Sequence, residues 1–205
     1  MTAQPRSPGR PRDATIDDDI VRSLFELVDE IGLGAVTIDA IAERAGVGKT
    51  TIYRRWSSKE DLIVDAVAGL VGGIEIPEGD GIREVLLHAL GRIRSFMSKT
   101  TAGVILPWMI AEVARGTDVG RRYAETVIIP GRKALAGHIS DAVSSGELRG
   151  DLDVEMAVDM LLGPLIVSKL LSRYREPHDA WAEGFIDALL EGWTAPTDGA
   201  VRIRA

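Results

Sequence analysis

A chain of 205 residues stands between one domain and two, and its 45% hydrophobic, 27% charged and 5% aromatic residues describe a soluble globular protein with a sizeable core, not a disordered one. With no cysteine, disulfides, thiolate zinc sites, iron–sulfur ligation and thiol nucleophiles are excluded, which fits a reducing compartment. The net charge of −7 argues against a general polyanion binder, yet residues 1–12 carry +3 (Arg6, Arg10, Arg12) and residues 44–59 carry +5 (Arg44, Lys49, Arg54, Arg55, Lys59), so the rest of the chain carries −15. Charge alone does not separate an anion-facing surface from a solvated helix face.

Apolar residues recur at three and four along the chain, with no sustained alternation of period two, so the expected fold class is all-α. The first thirteen residues, MTAQPRSPGRPRD, lack the apolar centre of a secretory signal. The longest run free of charge, Thr100 to Ala111, is twelve residues, against the roughly 20 of a spanning helix; a cytoplasmic location is expected. A first helix is expected from Thr15, capping with Asp18, to Gly32, with Ile20, Leu24, Leu27, Val28 and Ile31 inward. Thr37 caps a second, short helix with Ile38, Ile41, Ala42 and Ala45 inward, closed by Gly46. A third spans Lys49 to Trp56 after Gly46-Val47-Gly48, and a fourth starts at Ser58, with Asp61, and runs towards Gly72. Short helix, tight glycine turn, short helix is the spacing of a helix-turn-helix unit. A domain boundary is expected in or just before the irregular stretch that ends at Gly81. Helices then follow over Ile82 to Ser98, Val104 to Arg115, Val119 to Ser145 with a kink or break at Pro130-Gly131, Val154 to Ser172 and Asp179 to Trp193. A loose tail follows from Thr194.

Gly48-Lys49-Thr50 ends like a phosphate-binding loop. The glycine such a loop requires five residues earlier is Glu43, however, and the preceding segment has helical spacing. The same residues make physical sense as a DNA reader, because the second helix of a helix-turn-helix unit lies in the major groove with its first residues at the base edges. Thr37 then offers its hydroxyl and helix-start N–H groups to a phosphate. Lys49 can donate to guanine acceptors, the methyl of Thr50 or Thr51 can meet that of thymine, and Gly48 lets the backbone approach. Tyr53, one turn on, suits a phosphate oxygen, and Arg54, Arg55 and Lys59 extend a cationic rim. A plain surface aromatic is the alternative for Tyr53. Ile52 and Trp56 anchor the helix inward. Arg10 and Arg12, on a proline-stiffened segment, suit the narrow minor groove of A·T-rich DNA, or else belong to a solubilising tail.

The run TIDAIAERAGVGKTTIYRRWSSKEDL resembles the signature of the TetR (tetracycline repressor) family of bacterial transcriptional regulators, over roughly residues 15–65. The resemblance implies phosphate contacts from Thr37, Thr51, Tyr53 and Lys59, and base or groove contacts from Gly48, Lys49, Thr50 and Arg54 or Arg55. Asp39 departs from it, standing where some members present a basic or amide side chain. The implied fold is a three-helix helix-turn-helix domain followed by a helical bundle for ligand sensing and dimerisation. The expected division is a flexible basic arm (1–14), a DNA-binding domain (15–65), an effector-binding and dimerisation domain (66–196) and a loose tail (197–205).

In the C-terminal half, Val154, Ala157, Val158, Leu161, Leu162, Leu165 and Ile166 form one stripe, while Met156, Met160, Gly163, Val167, Leu170 and Leu171 make the opposite face apolar too. A helix apolar on both sides needs two partners. Met160, Gly163, Val167 and Leu170, with Trp181, Phe185 and Leu189 on the last helix, are therefore expected to pair across a two-fold axis; full burial inside a monomer is the alternative. Phe96, Met97, Ile105, Trp108, Met109, Glu112, Tyr123 and His138 are expected to wall an apolar effector pocket, although each one alone also fits a core role. His88, His138 and His178 are too far apart for a metal site on one helix, and no cofactor is expected. The expected protein is a homodimeric regulator, a repressor, that holds two recognition helices about 34 Å apart on a palindromic operator and is released by a small, largely apolar molecule, without catalysis and without a membrane. A constitutive DNA-binding protein and a small helical nucleotide-binding enzyme are the competing readings.

Overall fold

The computed structural model describes residues 14–72, 81–171 and 181–194, and among these every regular element is helical. The chain divides into two compact units, Met1–Ala66 and Val67–Ala205.

In the first unit, α1 (Ala14–Ile31) turns Ile20, Leu24, Leu27 and Val28 into the core. Two details differ from expectation. Thr15 lies within the helix, not at its cap, and Ile31 is exposed because it ends the last turn, just before Gly32 swings the chain away at φ 78°. The second helix, α2 (Ile38–Arg44), is capped by Thr37, whose hydroxyl accepts from Ala40 N–H at 3.2 Å. It closes with two reverse bonds, Val47 N–H to Ala42 C=O at 3.0 Å and Gly46 N–H to Glu43 C=O at 3.2 Å. That closure needs the left-handed backbone of Gly46, φ 65°. The third, α3 (Lys49–Tyr53), is shorter than the expected Lys49 to Trp56; Arg54 and Arg55 continue it only as a turn. Ile52 and Trp56 are buried, and the Trp56 indole N–H donates to Asp65 at 2.9 Å. The last, α4 (Lys59–Gly72), starts where the Ser58 hydroxyl accepts from Asp61 N–H at 3.0 Å.

The second unit packs α5 (Ile82–Lys99), α6 (Thr101–Ala114), α7 (Asp118–Tyr123), α8 (Ile129–Ser144), α9 (Val154–Leu170) and α10 (Trp181–Trp193) around Leu86, Leu90, Leu135, Ile139, Val158, Leu161 and Ile186. Polar ties join elements far apart in sequence: Arg83 to Asp187 at 2.7 Å, Arg149 N–H to Trp193 C=O at 2.8 Å, and the Lys169 ammonium to Met97 C=O at 2.7 Å. The break between α5 and α6 is a single residue, Thr100, so α6 begins three residues before the expected Val104. Such a tight reversal presses Gly103 onto α5, and a Cβ there would stand 2.0 Å from the Met97 carbonyl oxygen.

Between α7 and α8 the chain does not break at Pro130-Gly131. It widens instead into a π turn over Ala124–Ile128. A proline ring in a regular helix clashes with the carbonyl four residues earlier, here that of Thr126, and widening the preceding turn removes the clash. Pro130 then sits in the first turn of α8, where its missing N–H is tolerated. α9 starts at Val154 as expected, with Asp153 capping it through Met156 N–H at 3.0 Å, but ends at Leu170 with Leu171 as its cap, short of the expected Ser172; α10 runs to the expected Trp193. Ser172 and Asp179, the expected outer limits, lie outside the described residues. No described helix is long and apolar enough to cross a membrane.

Candidate nucleic-acid interface and ligand cavity

The turn Gly46-Val47-Gly48 lets α3 begin two residues after α2 has closed, and Gly48, in extended backbone, starts it by accepting from Thr51 N–H at 2.8 Å. With Ile52 and Trp56 as the inward anchors, the opposite face of α3 is left to solvent: Gly48, Lys49, Thr50, Tyr53 and Arg54 are exposed, Tyr53 by 54%, and Thr51 and Arg55 are half-buried. Thr37, at the cap of α2, is exposed as well.

Four of the cations on and around this surface, Lys49, Arg44, Arg55 and Lys59, are engaged. The Lys49 ammonium lies 2.7 Å from the Asp39 carboxylate, joining the first turns of α2 and α3. Arg44 grips Glu30 through both guanidinium arms at 2.6 Å, and this hydrogen bonding holds the Glu30 carboxyl below its usual range. Arg55 pairs with Asp17 on α1. Lys59 donates to Val36 C=O at 3.0 Å, against the residue just before the Thr37 cap. The role of Asp39 as a partner of Lys49 was not foreseen; the two residues are ten apart, and only the α2–α3 turn brings them together. Arg10 and Arg12 lie outside the described residues.

The second unit holds a cavity of about 950 Å³. Of the residues expected to wall such a pocket, Phe96, Met97, Tyr123 and His138 line it. Ile105, Trp108, Met109 and Glu112 do not: Ile105 and Met109 are sealed in the interior, and Glu112 accepts from Arg115 and from the Thr117 hydroxyl, both at 2.8 Å. Ile93, Leu106, Leu162 and Arg132 line the cavity and were not anticipated. Ile93, Phe96 and Met97 carry a helical three-and-four spacing that marks a shared face of α5, whereas nothing local marks Leu162. Among the described residues no group of three potential metal ligands comes together.

On α9, Met156, Met160, Val167, Leu170 and Leu171 are exposed, Val167 by 55%, and Gly163 is half-buried beside them. Trp181 and Phe185 stack at 4.8 Å, half-buried. Leu189 is a correction: only 8% exposed, it packs in the core of its own unit. Steps of four over-rotate a helix by about 40° each, so the series from Trp181 curls round α10 and turns Leu189 and Trp193 inward.

A capped short helix, a three-residue turn and a second short helix with an open cationic start define a helix-turn-helix DNA-binding unit. Residues 20–66 match the model of the bacterial regulatory proteins of the tetR family, and residues 76–189 match that of the tetracyclin repressor-like C-terminal domain. The chain is 30% identical to the uncharacterized HTH-type transcriptional regulator YdeS of Bacillus subtilis (strain 168), over 90% of this chain and 92% of that one. Among solved structures it is similar to the TetR family transcription regulator SCO0332 (27% identity, 86% of this chain and 97% of that one, TM-score 0.67). It also shares the fold of FadR from Bacillus subtilis, solved in complex with stearoyl-CoA (22% identity, 85% and 98%, TM-score 0.71). The chain belongs to the TetR family of helix-turn-helix transcriptional regulators, a family of DNA-binding regulators and not of enzymes.

Proposed function

We propose that this protein is a ligand-responsive repressor that binds a palindromic operator as a homodimer in the cytoplasm and leaves it when a small, largely apolar molecule enters the second unit. The observation that carries the reading is the open first turn of α3, where Lys49 and Thr50 are exposed while Ile52 behind them is fully buried. Gly48, Lys49, Thr50 and Arg54 or Arg55 meet the bases or the groove; Thr37, Thr51, Tyr53 and Lys59 hold the phosphates, and the arm with Arg10 and Arg12 reaches the minor groove. The apolar face of α9, with Trp181 and Phe185, forms the two-fold contact. Entry of the effector favours a dimer whose recognition helices no longer match successive grooves, and a differential affinity worth about 1–3 kcal/mol suffices.

Selection of bound fragments from random DNA tests this reading. Recovered sequences are expected to be two-fold symmetric, with half-sites about one helical turn apart. A single asymmetric half-site, or no enrichment, rules out the dimeric operator.

A further inference from the structure

The second unit's cavity has walls whose chemistry narrows what can occupy it. Ile93, Phe96, Leu106, Ile110 and Leu162 supply an apolar surface, and no Asp or Glu is among the described lining residues. The cation Arg132 reaches the cavity but is already doubly paired: its guanidinium donates to Asp159 at 2.5 Å and to Glu155 at 3.0 Å. Arg92, the other lining cation, also has a partner of its own. An anionic ligand would compete with the two carboxylates that Arg132 already holds, and a cationic one would find no carboxylate among the described lining residues. Among the described lining residues, and apart from Thr126, whose hydroxyl donates to Arg122 C=O at 2.7 Å, two polar groups remain. Tyr123, 3% exposed as a whole residue, lines the cavity, and its hydroxyl has no hydrogen-bond partner among the described residues. His138 lines the same cavity, half-buried, and its imidazole likewise has no partner among the described residues. Burial pushes the Tyr123 phenol up to about 12, so it stays a neutral donor through the physiological range. The residues just after Tyr123, Thr126 to Ile128 of the π turn, continue the wall, and such widened turns recur at functional sites.

We propose that the cavity takes an uncharged, mainly apolar molecule with a hydroxyl or carbonyl oxygen, which the Tyr123 hydroxyl and the His138 imidazole hydrogen-bond. This rests on the reading of the second unit as the effector-binding one. The oxygen supplies the partner that Tyr123 lacks, and the apolar body fills the space between α5, α6, α8 and α9. The polar groups, not the arginines, then set the choice among ligands of similar size.

Titration calorimetry on the full-length protein with two matched series tests it: 1-decanol, decanoate and decyltrimethylammonium, and 2-naphthalenemethanol, 2-naphthoate and (2-naphthylmethyl)trimethylammonium. In every series that binds, the alcohol is expected to bind about tenfold or more tightly than its charged counterparts. Tyr123→Phe, which removes a single oxygen, is expected to weaken alcohol binding about five- to tenfold, as one hydrogen bond to a neutral group implies. His138→Ala, as a second variant, is expected to act in the same direction. An acid or ammonium compound that binds more tightly than its alcohol, or alcohol binding that neither variant weakens, overturns the proposal while leaving a ligand-binding unit in place. No binding of any compound in either series overturns the ligand-binding reading itself.

Discussion

Lys49 and Asp39 form a salt bridge on an exposed surface, so it contributes little to stability, about 0–1 kcal/mol at most. Its interest is positional. The carboxylate fixes the ammonium at the mouth of α3, and each member can address a base: lysine the acceptors of guanine, aspartate the amino group of cytosine. Lys49→Ala is therefore expected to relax base preference at one position of each half-site, at a cost of about 1–3 kcal/mol on the preferred sequence. Asp39→Asn is expected to raise affinity for random duplex while narrowing the gap to the operator; competition binding on the selected operator and a scrambled duplex reads both. Tyr123 makes a separate prediction. Its folded pKa of about 12 lies above the ordinary 10.0, so the neutral phenol's contribution is fully present below pH 10 and is lost as the pH rises towards 12. Thermal unfolding across that range should show an alkaline loss of about 2–3 kcal/mol that is absent in Tyr123→Phe.

At the scale of the helices, the close approaches divide the glycines into two kinds. Gly103 and Gly120 have backbone where a side chain would go, the Met97 carbonyl oxygen at 2.0 Å and the Glu112 carbonyl oxygen at 2.2 Å. Gly91, mid-way along α5, has nothing within 4 Å. Gly103→Ala is expected to destabilise the protein by about 3 kcal/mol, since backbone and not a flexible side chain must yield, whereas Gly91→Ala should stabilise it by about 0.5–1 kcal/mol through helix propensity. Urea denaturation of the two variants gives both signs. These positions also show what a sequence makes legible. The α2–α3 unit could be read almost residue by residue, because its caps, its glycine turn and its anchors lie within about twenty positions and act locally. The one-residue α5–α6 reversal and the π turn could not, since each answers to a contact made only once the helices are folded. The cavity was half legible for the same reason: the apolar spacing on α5 signals a face, but Leu162 comes from an element far along the chain. Ile105, Trp108 and Met109, singled out by residue type, fell to the core or elsewhere on α6.

For the molecule as a whole, the exposed apolar row on α9 is the feature least at ease in a monomer. The paired substitutions Met160→Glu and Val167→Glu place two carboxylates on each side of the proposed two-fold contact, and burying them unpaired is costly. Sedimentation is expected to show a monomer, with dimer affinity lowered at least about 100-fold, and helical content by circular dichroism is expected to be unchanged. Operator binding should fall to the strength of one half-site. The protein's acidity has its own bearing on how it meets a polyanion. Glu30, Asp39 and Asp17 sit against Arg44, Lys49 and Arg55 and serve them as resident counterions. A duplex that displaces such carboxylates releases fewer dissolved ions than one docking on bare cations, so affinity is expected to fall with rising salt less steeply than five positive side chains would suggest. The regulator carries much of its own ionic atmosphere with it.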